Sequence, residues 1–194
     1  MVRIRNCAGS IGLLFLLLSG PLSAAENELG WTLDSALKQI ERQSKDFSSL
    51  LADVTAVSTG SDGTTTREMS GRLYMNQNGD IRIRGSAGRE ALVTRSEVQE
   101  YDPEQQLVER YSLSKHKYRV EPYARLGFTT TGSDLKDDYL VTMLGEDSIR
   151  GERVLLLKLT PKQDRERQVI GSVTLWINEA SWMPMRQVID EVTN

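Results

Sequence analysis

The chain has 194 residues, 39% of them hydrophobic, with 24 Lys and Arg against 27 Asp and Glu, one His and one Cys. That length fits a single domain, and so few His and Cys exclude a histidine-rich or thiolate metal centre. The acidic balance argues against a nucleic-acid partner.

At the N-terminus Arg3 and Arg5 precede the apolar run Ile11 to Leu18, and the small pair Ala24-Ala25 precedes Glu26. A basic region, a short apolar region and small residues in that order predict an export signal over residues 1–25, leaving 26–194 as one domain. Without Arg3 and Arg5 the remainder holds 22 basic and 27 acidic groups, a charge of -5. Cys7 would leave with the signal, so no thiol is expected for a disulfide, a zinc ligand, a nucleophile or a lipid anchor. No later stretch approaches the roughly 20 consecutive apolar residues of a membrane helix, and Ile11 to Leu18 is itself too short. A soluble exported protein is expected.

Leu33, Ala36, Leu37, Ile40 and Phe47 share one helical stripe, predicting a helix from about Leu33 to Asp46 with Thr32 as N-cap and Asp34 in the first turn. From Leu50 onward the period changes to two, with turns at Gly60-Ser61-Asp62-Gly63 and Asn78-Gly79, the signature of an antiparallel sheet. Strands are expected near Thr65 to Asn76, Ile81 to Arg84, Ala91 to Thr94, Val98 to Tyr101 and Leu107 to Leu113. Further strands are expected at Tyr139 to Leu144, Val154 to Leu159, Val173 to Ile177 and Met185 to Val192, about ten in all. So many short strands favour a curled sheet or barrel. Tyr118 to Lys136, with Pro122, Gly127, Gly132 and Ser133-Asp134-Leu135, breaks the rhythm and predicts a long connection holding about one helical turn.

Few residues invite catalysis. His116 sits in the polar segment Ser114-Lys115-His116-Lys117, where a surface role is the simpler reading. Asp137-Asp138 and Glu146-Asp147 could form a carboxylate pair only in a geometry that sequence does not reveal. Phosphate-cradling GxxxxGK[ST] and dinucleotide GxGxxG loops are absent, and Gly85 to Gly88 reads as a turn. Lys115, Lys117, Arg119 and Arg125, interleaved with Tyr118 and Tyr123, suit a solvated loop first and an anionic membrane or partner surface second. No catalytic residue, metal site or cofactor is assigned.

The apolar strand faces say more. Leu73, Met75, Ile81, Ile83, Leu155, Leu157, Leu159, Val173, Leu175 and Ile177, with Leu92, are candidates for an apolar surface enclosed by the curled sheet. From periodicity alone that surface is a packed core or a ligand cavity, the packed core being the commoner case.

From Trp31 onward the chain sets out in order a helix, Phe47 entering the first strand, Ser70-Gly71-Arg72-Leu73-Tyr74 and Tyr101-Asp102-Pro103. Leu157-Lys158-Leu159-Thr160-Pro161-Lys162, Leu175-Trp176-Ile177-Asn178 and Met183-Pro184-Met185-Arg186-Gln187 follow. In that order these residues resemble the LolA-like periplasmic carriers of outer-membrane lipoproteins. Where the family has a basic residue and proline in the first hairpin turn, this chain has Gln77-Asn78-Gly79. It has Leu51-Ala52-Asp53 for an aromatic-x-glutamine and Gln99 for a tryptophan, which marks a divergent member. The resemblance implies a mainly β (α+β) fold, a curled unclosed antiparallel β-barrel covered by an N-terminal helix and a short helical connection. It implies a monomeric, non-enzymatic periplasmic carrier without cofactor. Its partners would be lipoproteins or lipid acyl chains, an inner-membrane release complex and an outer-membrane acceptor. A periplasmic lipoprotein-sensing regulatory module is the alternative.

Overall fold

Thr32 starts the first helix, α1 (Leu33–Asp46), because its hydroxyl accepts the Ser35 N–H at 3.2 Å while the Ser35 hydroxyl accepts the Thr32 N–H at 3.0 Å. This reciprocal cap satisfies backbone donors that the first turn leaves free. Ala36, Leu37 and Ile40 then form the buried stripe, and Lys38 and Lys45 pair with Asp34 and Glu41 one turn back on the solvent side. The computed structural model describes residues 2–5, 30–60, 62–85, 88–113 and 125–192, excluding the side chains of 2–5 and 67. Most of the expected export signal, and His116 with Lys115, Lys117, Tyr118, Arg119, Pro122 and Tyr123, lie outside the described residues.

Among the described residues eleven strands make one sheet. In chain order they are β1 (Val2–Arg5), β2 (Ser49–Thr59), β3 (Thr65–Asn76), β4 (Ile81–Gly85), β5 (Glu90–Val93), β6 (Glu97–Asp102), β7 (Leu107–Ser112), β8 (Tyr139–Ile149), β9 (Glu152–Pro161), β10 (Ile170–Asn178) and β11 (Pro184–Glu191). Two further helices, α2 (Gly132–Asp138) and α3 (Asp164–Arg167), complete the described elements. The spatial order β7-β6-β5-β4-β3-β2-β1-β11-β10-β9-β8 sets two antiparallel meanders side by side. This is the curled, open sheet with few helices expected from the sequence.

Three local differences have physical reasons. The backbone of Val2–Arg5 forms β1 and runs parallel to both β2 and β11, although the sequence reading holds no strand there. A Val-Arg-Ile-Arg alternation suits a strand, and the facing edges of β2 and β11 offer ladder partners. β8 extends past Leu144 to Ile149 through an irregularity at Gly145, whose φ of 143 is open to glycine. α3 has no apolar period and was not legible as a helix.

The packing divides in two. Under α1, Leu155, Leu157, Leu159, Val173, Leu175 and Ile177 join Ala36, Leu37, Ile40, Leu126, Leu135 and Trp182 in one buried cluster. Trp31 meets Trp182 edge to face at 4.7 Å, fixing the entry to α1 against the β10–β11 turn. A second cluster gathers Phe47, Met75, Ile81, Val93, Val98 and Leu113 over the other meander.

α2 is clipped onto α1. A Cβ on Gly132 would lie 2.2 Å from the Leu37 carbonyl oxygen, so only glycine allows this approach. Gly132→Ala should therefore cost about 1–3 kcal/mol by forcing the helices apart, read as a lower urea midpoint with unchanged slope. The Ser133 N–H and hydroxyl donate to Glu41 at 3.1 and 2.9 Å, and Lys136 donates to Asp34 at 2.6 Å. The Lys136 bond, with Lys38, lowers the Asp34 carboxyl to about 2. Lys45 first, then Ser133, lowers that of Glu41 to about 2. Both folded values lie below the ordinary carboxylate range. Their contribution is thus complete above that range and is lost as the pH falls toward about 2. The thermal midpoint should fall more between about pH 5 and about pH 2 in the parent than in an Asp34→Asn, Glu41→Gln variant. Equal slopes would remove these carboxylates from the account.

Candidate functional site

Strand pairing sorts the candidate residues into rows. Leu50, Met75, Ile81, Val93 and Val98 are cross-strand neighbours in one row of the covered face, and the next row is Ala52, Leu73, Ile83, Ala91, Glu100 and Glu109. In the other meander Val141, Leu159, Val173 and Ile189 align, as do Met143, Leu157, Leu175 and Gln187. Register places Ala56 of β2 and Gln187 of β11 opposite the same β1 residue, so the two meanders share this face. Leu92 pairs with Arg82 and Gln99 and so lies on the opposite, outer face.

The two halves of this face differ in cover. Leu155, Leu157, Leu159, Val173, Leu175 and Ile177 are fully buried against α1 and its neighbours. Met75 and Ile81 are also buried, but Leu73 and Ile83 in the next row are only partly so, and Met69 further along β3 is 46% exposed. The apolar surface thus runs out of a closed core into the open. There it lines a cavity of about 260 Å³ in which the apolar Met69, Ile83, Ala91 and Leu107 are bordered by the charged Arg89, Glu90, Glu100, Asp102 and Glu109.

Gly71 and Gly85 are paired on this face. A Cβ on Gly71 would stand 2.5 Å from the Arg84 carbonyl oxygen, so β3 and β4 approach closely here, and the surface beside Ile83 carries no side chain at either position. On the outer side Glu90 accepts from Arg82 and from Arg84 Nε at 2.7 Å, bracing β4 to β5 behind the cavity. The Arg82 bond, with Arg84, holds the Glu90 carboxyl below its usual range. At the rim the Tyr111 hydroxyl donates to Glu109 at 2.6 Å, which raises the phenol above its ordinary value. Larger depressions of about 460 and 410 Å³ lie on the outer face, lined by residues such as Arg72, Tyr74, Arg84 and Leu92. They open more broadly to solvent than the inner cavity, and they lie on the face away from the buried cluster of Met75 and Ile81.

Residues 125–131, just before α2, close one end. Phe128 packs against the same cluster as Leu73 and Ile83, and Arg125 Nε donates to the Gly79 carbonyl oxygen in the β3–β4 turn at 2.9 Å. Gln77 in the same turn is exposed, and the basic side chain that reaches the turn comes from outside it. Among the described residues no cluster of three or more His, Cys, Asp or Glu is placed to hold a metal ion. No helix among them is long and apolar enough to cross a membrane.

Met69, Ala91, Glu100, Leu107 and Glu109 were not picked out from the sequence. Met69 could have been, since it continues the two-residue period of Leu73 and Met75. The others sit on short or mixed strands whose inward parity is ambiguous.

No family model matches the chain, and no curated protein matches it. Solved structures do. A putative outer-membrane lipoprotein-sorting protein domain from Vibrio parahaemolyticus shares 14% identity over 82% of this chain and 73% of that one, with a TM-score of 0.43. A LolA superfamily protein from Nitrosomonas europaea shares 18% over 76% and 68%, with a TM-score of 0.33. MucB, which another structure shows with MucA from Pseudomonas aeruginosa, shares 13% over 81% of this chain and 52% of its own, with a TM-score of 0.47. Structural neighbours therefore include the LolA-like type that the sequence resembles. At these identities and scores the likeness concerns chain arrangement alone.

Proposed function

We propose that the protein is a periplasmic carrier that binds lipoprotein acyl chains, or those of related lipids, on the open part of its apolar face. The observation that carries this reading is the continuity of Met75 and Ile81 in the closed core with Leu73, Ile83 and Met69 at an open cavity. Each buried methylene is worth about 0.8 kcal/mol, so a chain of about fifteen faces a barrier of roughly 12 kcal/mol to entering water unaided. An apolar surface left partly open offers that chain a place to go. The cavity of about 260 Å³ lies just under the usual range of ligand pockets, about 300–1,000 Å³, so it takes part of one chain before any cover moves.

The cover is the Phe128 segment, and Arg125 is its tie to the β3–β4 turn. Opening there would extend the cavity toward Met75 and Ile81. Arg125→Ala should accordingly speed release of a fluorescent long-chain fatty acid several-fold in a stopped-flow chase. An unchanged release rate would detach Arg125 from gating. In this reading an export signal over residues 1–25 delivers the chain to the periplasm. An inner-membrane release complex loads it and an outer-membrane acceptor unloads it, without cofactor or covalent step. The direct test is mass spectrometry of organic extracts from protein purified under native conditions. Acylated cargo is expected, whereas repeated recovery of lipid-free protein that also rejects the fluorescent fatty acid would sink the carrier.

A further inference from the structure

β1 is an anomaly in its own sheet. Every other ladder is antiparallel, yet Val2–Arg5 pairs parallel to β2 on one side and to β11 on the other. It reaches only Ala56 to Thr59 of the eleven residues of β2 and Gln187 to Ile189 of the eight of β11. Ser49 to Thr55 therefore have no strand partner on the side away from β3 among the described residues. A long edge covered by a four-residue parallel strand is under-filled, because parallel pairing is the less stable sense and unpaired edge groups template another strand.

We propose that the slot between β2 and β11 is a strand-acceptor site for an extended segment of a partner polypeptide, which displaces Val2–Arg5 and runs antiparallel to β2. Antiparallel entry pairs with both flanking strands in the stronger sense, since β2 and β11 point the same way. The chemistry of the segment follows from its neighbours. Leu50, Ala52, Val54 and Ala56 lie on the covered face of β2, so alternate residues of the incoming strand are apolar. On the outer face Asp53 and, one residue past the stretch of β11 that β1 reaches, Asp190 favour polar or basic residues between the apolar ones. The resident Val-Arg-Ile-Arg has that same alternation in sequence. Removal of residues 1–25 as an export signal would empty the slot for such a partner. The acceptor site itself is independent of lipid binding.

The probe is a synthetic labelled peptide in which valine alternates with lysine and threonine, compared with the same peptide carrying a central proline that cannot complete the ladder. Full-length protein is expected to bind the first at least tenfold more tightly than the second. Binding should protect the slot-side amides of Ser49 to Thr55 from hydrogen exchange and expose those of Val2 to Arg5. An Ile4→Pro variant, which weakens the resident strand, should bind the peptide more tightly still. Its far-ultraviolet spectrum and melting curve verify that it remains folded, and the wild-type comparison stands without it. Equal affinity for both peptides, or binding without protection of β2, overturns the acceptor site. Self-association of the full chain that the peptide dissolves would overturn the partner assignment in favour of a second copy. Retained fatty-acid binding alongside failed peptide binding would remove the slot and leave the carrier reading in place.

Discussion

Met69→Glu should lower affinity for a fluorescent long-chain fatty acid at least about tenfold, roughly 1.4 kcal/mol, with little change in stability. Met69 is 46% exposed at the mouth of the cavity, beside Ile83 and Ala91, so its loss removes little buried area from the fold. Surface substitutions of this kind usually stay within about 0.5 kcal/mol. A bound acyl chain changes that accounting. It would lay methylenes over the new carboxylate, which must then lose water without a partner or take up a proton. Glu90, Glu100, Asp102 and Glu109 already line the same cavity against one arginine, Arg89, so a fifth carboxylate also adds repulsion. Fluorescence titration and thermal unfolding on the same samples separate the two effects. An unchanged affinity would move the binding surface elsewhere.

Leu157→Ala should do the reverse. Leu157 is fully buried, flanked across strands by Met143 and Leu175, with α1 closing the cluster above it. Truncation there leaves a cavity that the α1 packing cannot easily collapse, costing about 2–5 kcal/mol. For a chain of this size that is roughly 4 to 20 °C in the unfolding midpoint. The fraction that remains folded should bind the fatty acid like the parent. If affinity falls further than stability, the ligand surface extends beneath α1, and Leu155, Leu157, Leu159, Val173, Leu175 and Ile177 belong to it.

Where local chemistry decides, the sequence was explicit. The stripe from Leu33 to Ile40 and the Thr32 cap define α1 to its ends, and the Asn78-Gly79 turn, where Gly79 has φ 76, sets the β3–β4 register that aligns Leu73 with Ile83. Parity failed where the pattern was not alternating. In Glu90–Val93 three consecutive apolar residues allow either face inward, and Ala91 and Val93 face the concavity while the larger Leu92 faces out. Cover was not legible at all. Leu157 and Ile83 are each followed by a basic residue, Lys158 and Arg84, and only the long-range choice of α1 to lie over β9 and β10 closes one and leaves the other half open. The same limit explains β1, whose parallel pairing depends on two strands more than fifty residues along the chain or beyond.

The central claim is that acyl chains enter the open part of the face between β3 and β7 rather than the core beneath α1. Methyl-selective NMR on Met, Ile and Leu methyl groups, during titration with a long-chain fatty acid, tests it most directly. The account predicts large shifts at Met69, Ile83 and Leu73 with the methyls of Leu157, Leu175 and Ile177 nearly unmoved. Shifts concentrated at Leu157, Leu175 and Ile177, or none at Met69 and Ile83 at saturating fatty acid, would contradict it.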